Sequence, residues 1–323
     1  MIQINNNIKI ENSQNQLTLF GFQDYFNFFV KAHAKKKLPN SIILKGQKGI
    51  GKATFANHFI NYILSINEED NYIIDKYSIN TKNKSYNLIN NNIHPNFFNL
   101  NPSSEKNIKI DEVRELIKFL KKTTYSKNLK IIFIDNAQNL NNFAANALLK
   151  SLEEPDSNTF FFLIHDNSYQ ILDTIKSRCV EYNLFFEIKK KQEIFSQLLN
   201  QHNLTLDVNR FNDLFYFDSP GNVLNYLSIF ENSHLDISKD HLDSIMYLIE
   251  LYKDNNDPNY IIIISLFIEL FYKDLSLNGE KNINLIIYNK IKIINLLNDM
   301  TKYNLDKKNL FLIISDILKN DSK

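Results

Sequence analysis

Residues 41–64, SIILKGQKGIGKATFANHFINYIL, constrain the fold of this chain more than any other stretch. A short apolar run at 41–45 enters a loop holding three of the chain's six glycines, and such clustering asks for a backbone reason. Apolar residues then recur at helical spacing through 53–64. Strand, glycine loop and helix in that order are the setting in which backbone N–H groups cradle phosphate. In the pattern G-x-x-x-x-G-K-[ST], Gly46, Gly51 and Lys52 are in register, with Gly49 between them. The lysine of such a loop reaches the outer phosphates, and the final hydroxyl ligates Mg²⁺. Here Ala53 stands at the hydroxyl position. Thr54 comes one residue late, so on the following helix its side chain points about 100° away.

A loop of this kind needs a parallel sheet behind it, and the first 186 residues supply the pattern of one. KIIFID (130–135) and FFFLIH (160–165) are continuous apolar runs, as expected of strands buried on both faces, and CVEYNLFF (179–186) reads as a last strand. Helices are expected at 22–37, at 108–125 with Asp111 as N-terminal cap, at NFAANALLKSLEEP before Pro155, and at 171–178. Strands alternating with helices imply an α/β fold with a doubly wound parallel sheet. The Asn/Lys-rich stretch 67–92 reads as an exposed excursion or a partly disordered loop. Past residue 187 the strand signal fades and helices are expected, with SPGN (219–222) between two of them.

Composition narrows the functions. With 323 residues, more than one domain is expected. A net charge of +1 gives no global electrostatic footprint for nucleic acid, so any DNA contact must come from a local patch. The single cysteine, Cys179, excludes a disulfide framework and a cysteine-based zinc site. No signal peptide is recognisable, and a cytoplasmic location is expected. The longest apolar run, 261–271, is interrupted by Ser265 and Glu269 and is shorter than the roughly 20 residues of a membrane span; it reads as a buried helix.

A second nucleotide signature should accompany a phosphate loop: an apolar strand ending in an aspartate, followed by an acidic residue that activates water. IIFIDNAQ supplies Asp135 but has Asn136 in the acidic place. An amide accepts no proton at neutral pH, so general-base help is missing there. His94 and His165 are isolated, and read as turn and strand-end residues rather than metal ligands. Only three arginines occur in a chain otherwise rich in lysine, Arg114, Arg178 and Arg210, which makes each of them informative.

The stretches GQKGIGKAT, HPNFFNL, IDEVREL, FIDNAQNLNNFAANALLKSLEEP, DTIKSRC and SPGN follow one another as they do in bacterial DNA polymerase III clamp-loader subunits. The chain resembles that family over about residues 17–227, in the version that keeps a phosphate loop and lacks the cysteine zinc module. The resemblance implies an AAA+ RecA-like domain at 1–186, a helical lid at 187–238 and a helical collar at 239–323 that joins five subunits in a ring. It also implies that Ser177-Arg178-Cys179 presents Arg178 as an arginine finger to ATP on a neighbouring subunit. A planar guanidinium suits charge spread over transferring phosphoryl oxygens, which lysine reproduces poorly. Arg114 and Lys150 match positions that track the DNA backbone, where positive charge is all that is needed. Implied partners are gamma/tau and delta subunits in a hetero-pentamer, primed DNA and, indirectly, the sliding clamp; no membrane is involved.

Three departures set the chain apart from an active motor subunit. Ala53 removes the metal hydroxyl, Asn136 the base, and Asn222 stands where a lid arginine senses nucleotide. Each such group is worth orders of magnitude in phosphoryl transfer. The expectation is a replication subunit with little or no hydrolysis of its own, Mg²⁺ poorly held, and no zinc. Its loop is left either to bind ATP or ADP through Gly46, Gly49, Gly51, Lys52, Ala53, Thr54 and Asp135, or to serve packing alone. The alternatives are a motor ATPase like the gamma or tau subunit, and a phosphate-loop scaffold unrelated to replication.

Overall fold

The computed structural model describes residues 13–100, 107–122, 129–204, 206–232, 240–255, 257–277, 283–303 and 305–322. The chain divides into two units, residues 10–190 and 191–323. In the first the order is α1 (Gln23–Ala34), β1 (Ser41–Gly46), α2 (Lys52–Ser65), α3 (Lys84–Asn90), β2 (Phe97–Leu100), α4 (Ile110–Lys121), β3 (Lys130–Ile134), α5 (Asn142–Glu153), β4 (Thr159–Asp166), α6 (Asp173–Lys176) and β5 (Val180–Asn183). All five strands are parallel, in the order β2-β3-β4-β1-β5. This is the AAA+ α/β arrangement that the resemblance led one to expect, with helices on both faces.

Side chains alternate between faces along a strand, and the three central strands use both. Ile42 and Leu44, Ile131 and Phe133, and Phe160 and Phe162 point into one core with Phe26, Phe29, Phe55 and Phe59 of α1 and α2. Ile43, Ile132, Ile134, Phe161 and Leu163 point into the other, with Val113 and Leu116 of α4 and Leu148 and Leu152 of α5. In the aromatic core Phe29 meets Phe55 and Phe59 edge-on, with centroids 5.2 and 5.3 Å apart, contacts worth about 0.5–1.5 kcal/mol each beyond burial. Lys130, buried at the start of β3, donates to the carbonyls of Leu120 and Lys122 and so ties the end of α4 to the sheet.

Two expectations are corrected here, and one element is new. Residues 67–92 form no loose excursion: Tyr72, Ile79 and Ile89 are buried, residues 74–76 form a 3-10 turn, and the Asn83 side chain caps α3 by accepting from the Tyr86 N–H at 2.7 Å. An asparagine-rich stretch still has the side chains that cap helices. Asp111 is not the cap of α4. The helix starts at Ile110, and the Glu112 carboxylate accepts from the Lys109 N–H at 2.8 Å, while residues 123–125 lie outside the described residues. Finally, Phe97–Leu100 is an edge strand that its short HPNFFNL setting did not reveal.

In the second unit, α7 (Ile188–Gln201), which begins just ahead of it, and a 3-10 stretch, Val208–Tyr216, lead to α8 (Pro220–Asn232), α9 (His241–Asn255), α10 (Pro258–Leu277), α11 (Ile283–Tyr303) and α12 (Lys307–Ser322). The apolar run 261–271 lies in α10, where Ile263, Ile264, Phe267 and Ile268 are fully buried. No helix among the described residues is long and apolar enough to cross a membrane. The Asp321 carboxylate accepts from the Tyr272 hydroxyl at 2.7 Å and from the Asn289 amide at 2.9 Å, joining α10, α11 and α12. The segment before α9 also packs on α10, through Lys273–Asp213 at 2.9 Å and Phe230–Phe267.

Candidate functional site

Two glycines shape the loop between β1 and α2. A Cβ on Gly46 would press into the Leu184 carbonyl oxygen, because β1 and the residue after β5 run side by side there. Gly51 has φ +100°, a conformation other residues rarely adopt, and a Cβ there would come within 3.1 Å of the Phe22 ring. Lys52 opens α2 and is 6% exposed. Its Nζ donates to the carbonyls of Gly46 and Gln47, both at 2.7 Å. Burial pushes its pKa down to about 8, against the pull of Asp166 and then Asp135.

Ala53 and Thr54 follow on α2, both half-buried, and Ala53 packs against the aromatic core. Asp135, directly after β3, has its pKa raised by burial, while the Asn136 N–H, at 2.9 Å from Oδ1, and Lys52 oppose the shift. Asn136 adopts φ 52° and ψ 52°. Asparagine tolerates this left-handed conformation better than glutamate, so the place of the absent base is also a backbone position. Sequence reasoning missed two residues that complete this cluster. Asp166 ends β4 in register with Gly46 and is 6% exposed; Gln138 bridges Asn136 Oδ1 at 3.2 Å and the Asp166 N–H at 3.3 Å. The signal for Asp166 was available, since FFFLIHD ends in an aspartate as KIIFID does.

The loop fits a phosphate, since Lys52 and the glycine backbone remain. The donor set for Mg²⁺ is thinner, because no hydroxyl stands at position 53. Among the described residues no group of three His, Cys, Asp or Glu could hold a metal. His165 is 3% exposed with Nε2 at 3.0 Å from the Tyr169 carbonyl. His94 accepts from the Asn96 N–H at Nδ1 and meets Ser85 Oγ at Nε2, and Ser85 donates to Glu68 at 2.5 Å.

Arg178 follows α6, at the other end of the sheet. Two residues later Val180 pairs in parallel with Ile42, at the start of β1, so Arg178 lies beyond the end of the sheet opposite the loop, which begins at Gly46. Four residues of strand at about 3.3 Å each put the start of β5, which Arg178 precedes, on the order of 13 Å from the loop along the strand axis. The guanidinium donates from Nε to Glu153 Oε1 at 2.6 Å and from Nη1 to the Thr174 carbonyl at 2.9 Å and Ser177 Oγ at 3.1 Å, and Nη2 is ion-paired with Glu153. Its side chain is 28% exposed. The Cys179 thiol is pushed up to about 12 by burial and by Glu181, so it stays protonated at neutral pH.

Arg114 on α4 is exposed and paired with Asp111 at 2.7 Å; Lys150 is exposed in the last turn of α5, the helix that packs beside α4. Asn222, in the second unit, gives its amide to Asp218 at 2.7 Å, and its N–H to Ser219 Oγ at 3.3 Å as the cap of α8. Lys191 donates to the Phe215 and Asp218 carbonyls at 3.0 Å and fixes the same turn.

A five-stranded parallel sheet with a phosphate-type loop after β1, and helices following, is the α/β architecture of phosphate-loop proteins. The family model described as "DNA polymerase III, delta subunit" matches residues 22–186, about half of the chain, and the chain belongs to that family, with relatives named DNA polymerase III subunit delta'. DNA polymerase III subunit delta' of Pseudomonas aeruginosa is 36% identical over 143 residues, 44% of this chain and 42% of that protein. The subunit delta' of Buchnera aphidicola subsp. Schizaphis graminum is 28% identical over 291 residues, 85% of this chain and 82% of that protein. The match thus spans 42% of the length of the Pseudomonas relative and of its Haemophilus influenzae counterpart. A gamma subunit-related protein from Thermotoga maritima has a similar structure, with a TM-score of 0.47 and 15% identity over 91% of this chain and 99% of that one.

Proposed function

We propose that this chain is the clamp-loader subunit that lends Arg178 to ATP on a neighbouring subunit, and that it hydrolyses little or no ATP itself. The observation that carries the reading is the separation of Arg178 from the chain's own loop: an arginine at the far end of the sheet acts on another subunit's phosphate or on none. Ala53, and Asn136 held in a left-handed conformation, support the loss of hydrolysis. The loop retains ATP or ADP through its backbone and Lys52, provided the phosphates draw Nζ away from Gly46 and Gln47. Gamma/tau-type and delta-type subunits are the partners in a hetero-pentamer that places a sliding clamp on primed DNA, with residues 187–238 as lid and 239–323 as collar. Arg114 and Lys150 are its DNA contacts.

The test is reconstitution with motor subunits and primed DNA. The isolated chain shows near-zero turnover, and Arg178→Ala lowers turnover of the assembled complex by a factor of about 10³ or more. Normal turnover by that variant complex removes the finger role. Turnover by the isolated chain that Lys52→Ala abolishes makes it a motor instead.

A further inference from the structure

A guanidinium has five N–H groups, and Arg178 has four of them engaged within its own subunit. Both Nη1 hydrogens go to α6 and the residue after it, to the Thr174 carbonyl and Ser177 Oγ. The Nε hydrogen and one Nη2 hydrogen meet Glu153, from the end of α5. The two anchors differ in kind. Thr174 and Ser177 are sequence neighbours that move with Arg178, whereas Glu153 is twenty-five residues away and its carboxylate is 48% exposed. The Nε/Nη2 edge is one of the forks by which arginine grips a phosphate through two parallel N–H bonds. A carboxylate fills that edge here.

We propose that Glu153 occupies, in the unassembled chain, the Nε/Nη2 edge of Arg178 that a terminal phosphate of a neighbour's nucleotide takes on assembly, while Thr174 and Ser177 keep the guanidinium aimed. This rests on the finger reading of Arg178. A phosphate of higher charge displaces an exposed carboxylate readily, since such surface pairs are weak. Glu153 is then a positioning residue that yields its place, and its removal eases assembly without touching the chemical step.

The experiment titrates the full chain into its partner subunits with a non-hydrolysable ATP analogue, and separately measures maximal ATP turnover of the assembled complex. Glu153→Gln and Glu153→Ala each tighten nucleotide-dependent assembly about two- to fivefold, the range to which the worth of an exposed ion pair converts, and leave maximal turnover unchanged. In an Arg178→Ala background the Glu153 substitutions shift nothing, which a merely structural role would not produce. A fall in maximal turnover with Glu153→Ala overturns the proposal, because Glu153 would then support the finger in the working state. Unchanged assembly with both variants overturns it too. Failure of the finger reading is a separate result: Arg178→Ala alone then leaves turnover intact.

Discussion

The Nζ of Lys52 lies 2.7 Å from the carbonyl oxygen of Gly46, six residues earlier, so the lysine that should face phosphate is bound to its own loop. Burial holds the folded-state pKa at about 8, below the ordinary 10.5. Between those two values the unfolded chain binds the proton that the folded chain has released, so this group's contribution to stability rises with pH across that window. Below about pH 8 the cost of keeping a buried cation is fully present. Lys52→Met is therefore expected to stabilise the fold at pH 7 by about 1–3 kcal/mol, with a gain that shrinks towards pH 10. Urea unfolding of both chains at pH 7 and 9.5 checks this, and a variant no more stable than the parent at pH 7 contradicts it.

Placing a hydroxyl at position 53 and a carboxylate at position 136 is not expected to make the isolated chain hydrolyse ATP. Asn136 sits at φ 52° and ψ 52°, so Asn136→Glu is expected to cost about 1–2 kcal/mol in backbone strain, whereas Asn136→Gly is nearly neutral. Ala53→Thr combined with Asn136→Glu is expected to leave the isolated chain without measurable ATP turnover, since on the proposed reading Asn222 also stands in place of a nucleotide-sensing arginine. Thermal unfolding and a turnover assay on the three variants suffice. Robust hydrolysis by the double variant would show that these two positions alone set the low turnover proposed for the loop.

The central sheet was legible because β1, β3 and β4 are buried on both faces and therefore spell continuous apolar runs. Edge strands lack that property: β2 has four residues with Asn99 half-buried, and β5 keeps only Val180–Asn183 of the expected 179–186 segment. The fold of 67–92 was hidden because asparagine signals loops by composition, while here Asn83 caps a helix and Tyr72, Ile79 and Ile89 anchor the stretch at irregular spacing. Within the site, the loop residues and Arg178 declared themselves by type and order. Gln138 and Glu153 did not, because their roles arise from strands and helices brought together across the sheet, whereas Asp166 could have been read from the aspartate that ends its apolar run. Strand direction alone reveals that Arg178 and Lys52 lie at opposite ends of it.

Arg114 and Lys150 should contribute unequally to DNA binding. Lys150 is exposed, and Arg114 is held by Asp111 in an exposed pair worth little, which nonetheless offsets its charge. In the assembled complex, Lys150→Ala is expected to lower the slope of log affinity against log salt by about 1, and Arg114→Ala by less, with no change in sequence preference. Removing Asp111 should bring Arg114 up to the effect of Lys150. Binding isotherms on primed DNA at several salt concentrations measure the slopes, and slopes that no substitution alters would place the DNA elsewhere.

His58 gives the first unit an acid limit. It is fully buried on α2, with Nδ1 2.9 Å from the Tyr72 hydroxyl and Nε2 2.9 Å from the Gln16 carbonyl. The carbonyl can only accept, so Nε2 carries the proton and Nδ1 takes the tyrosine hydrogen bond. This pairing fastens residues 16 and 72 to α2 and suits the neutral ring. Burial lowers the pKa from 6.5 to about 4, so the unfolded chain binds a proton that the folded chain refuses as pH falls between those values. Stability is lost across that window, by up to about 3 kcal/mol near pH 4 from this group. His58→Gln, whose amide can still donate to Gln16, is expected to be less stable at pH 7.5 but to lose less on acidification. The comparison is of urea midpoints at pH 7.5 and 4.5; parallel losses in parent and variant would assign the acid sensitivity to other groups.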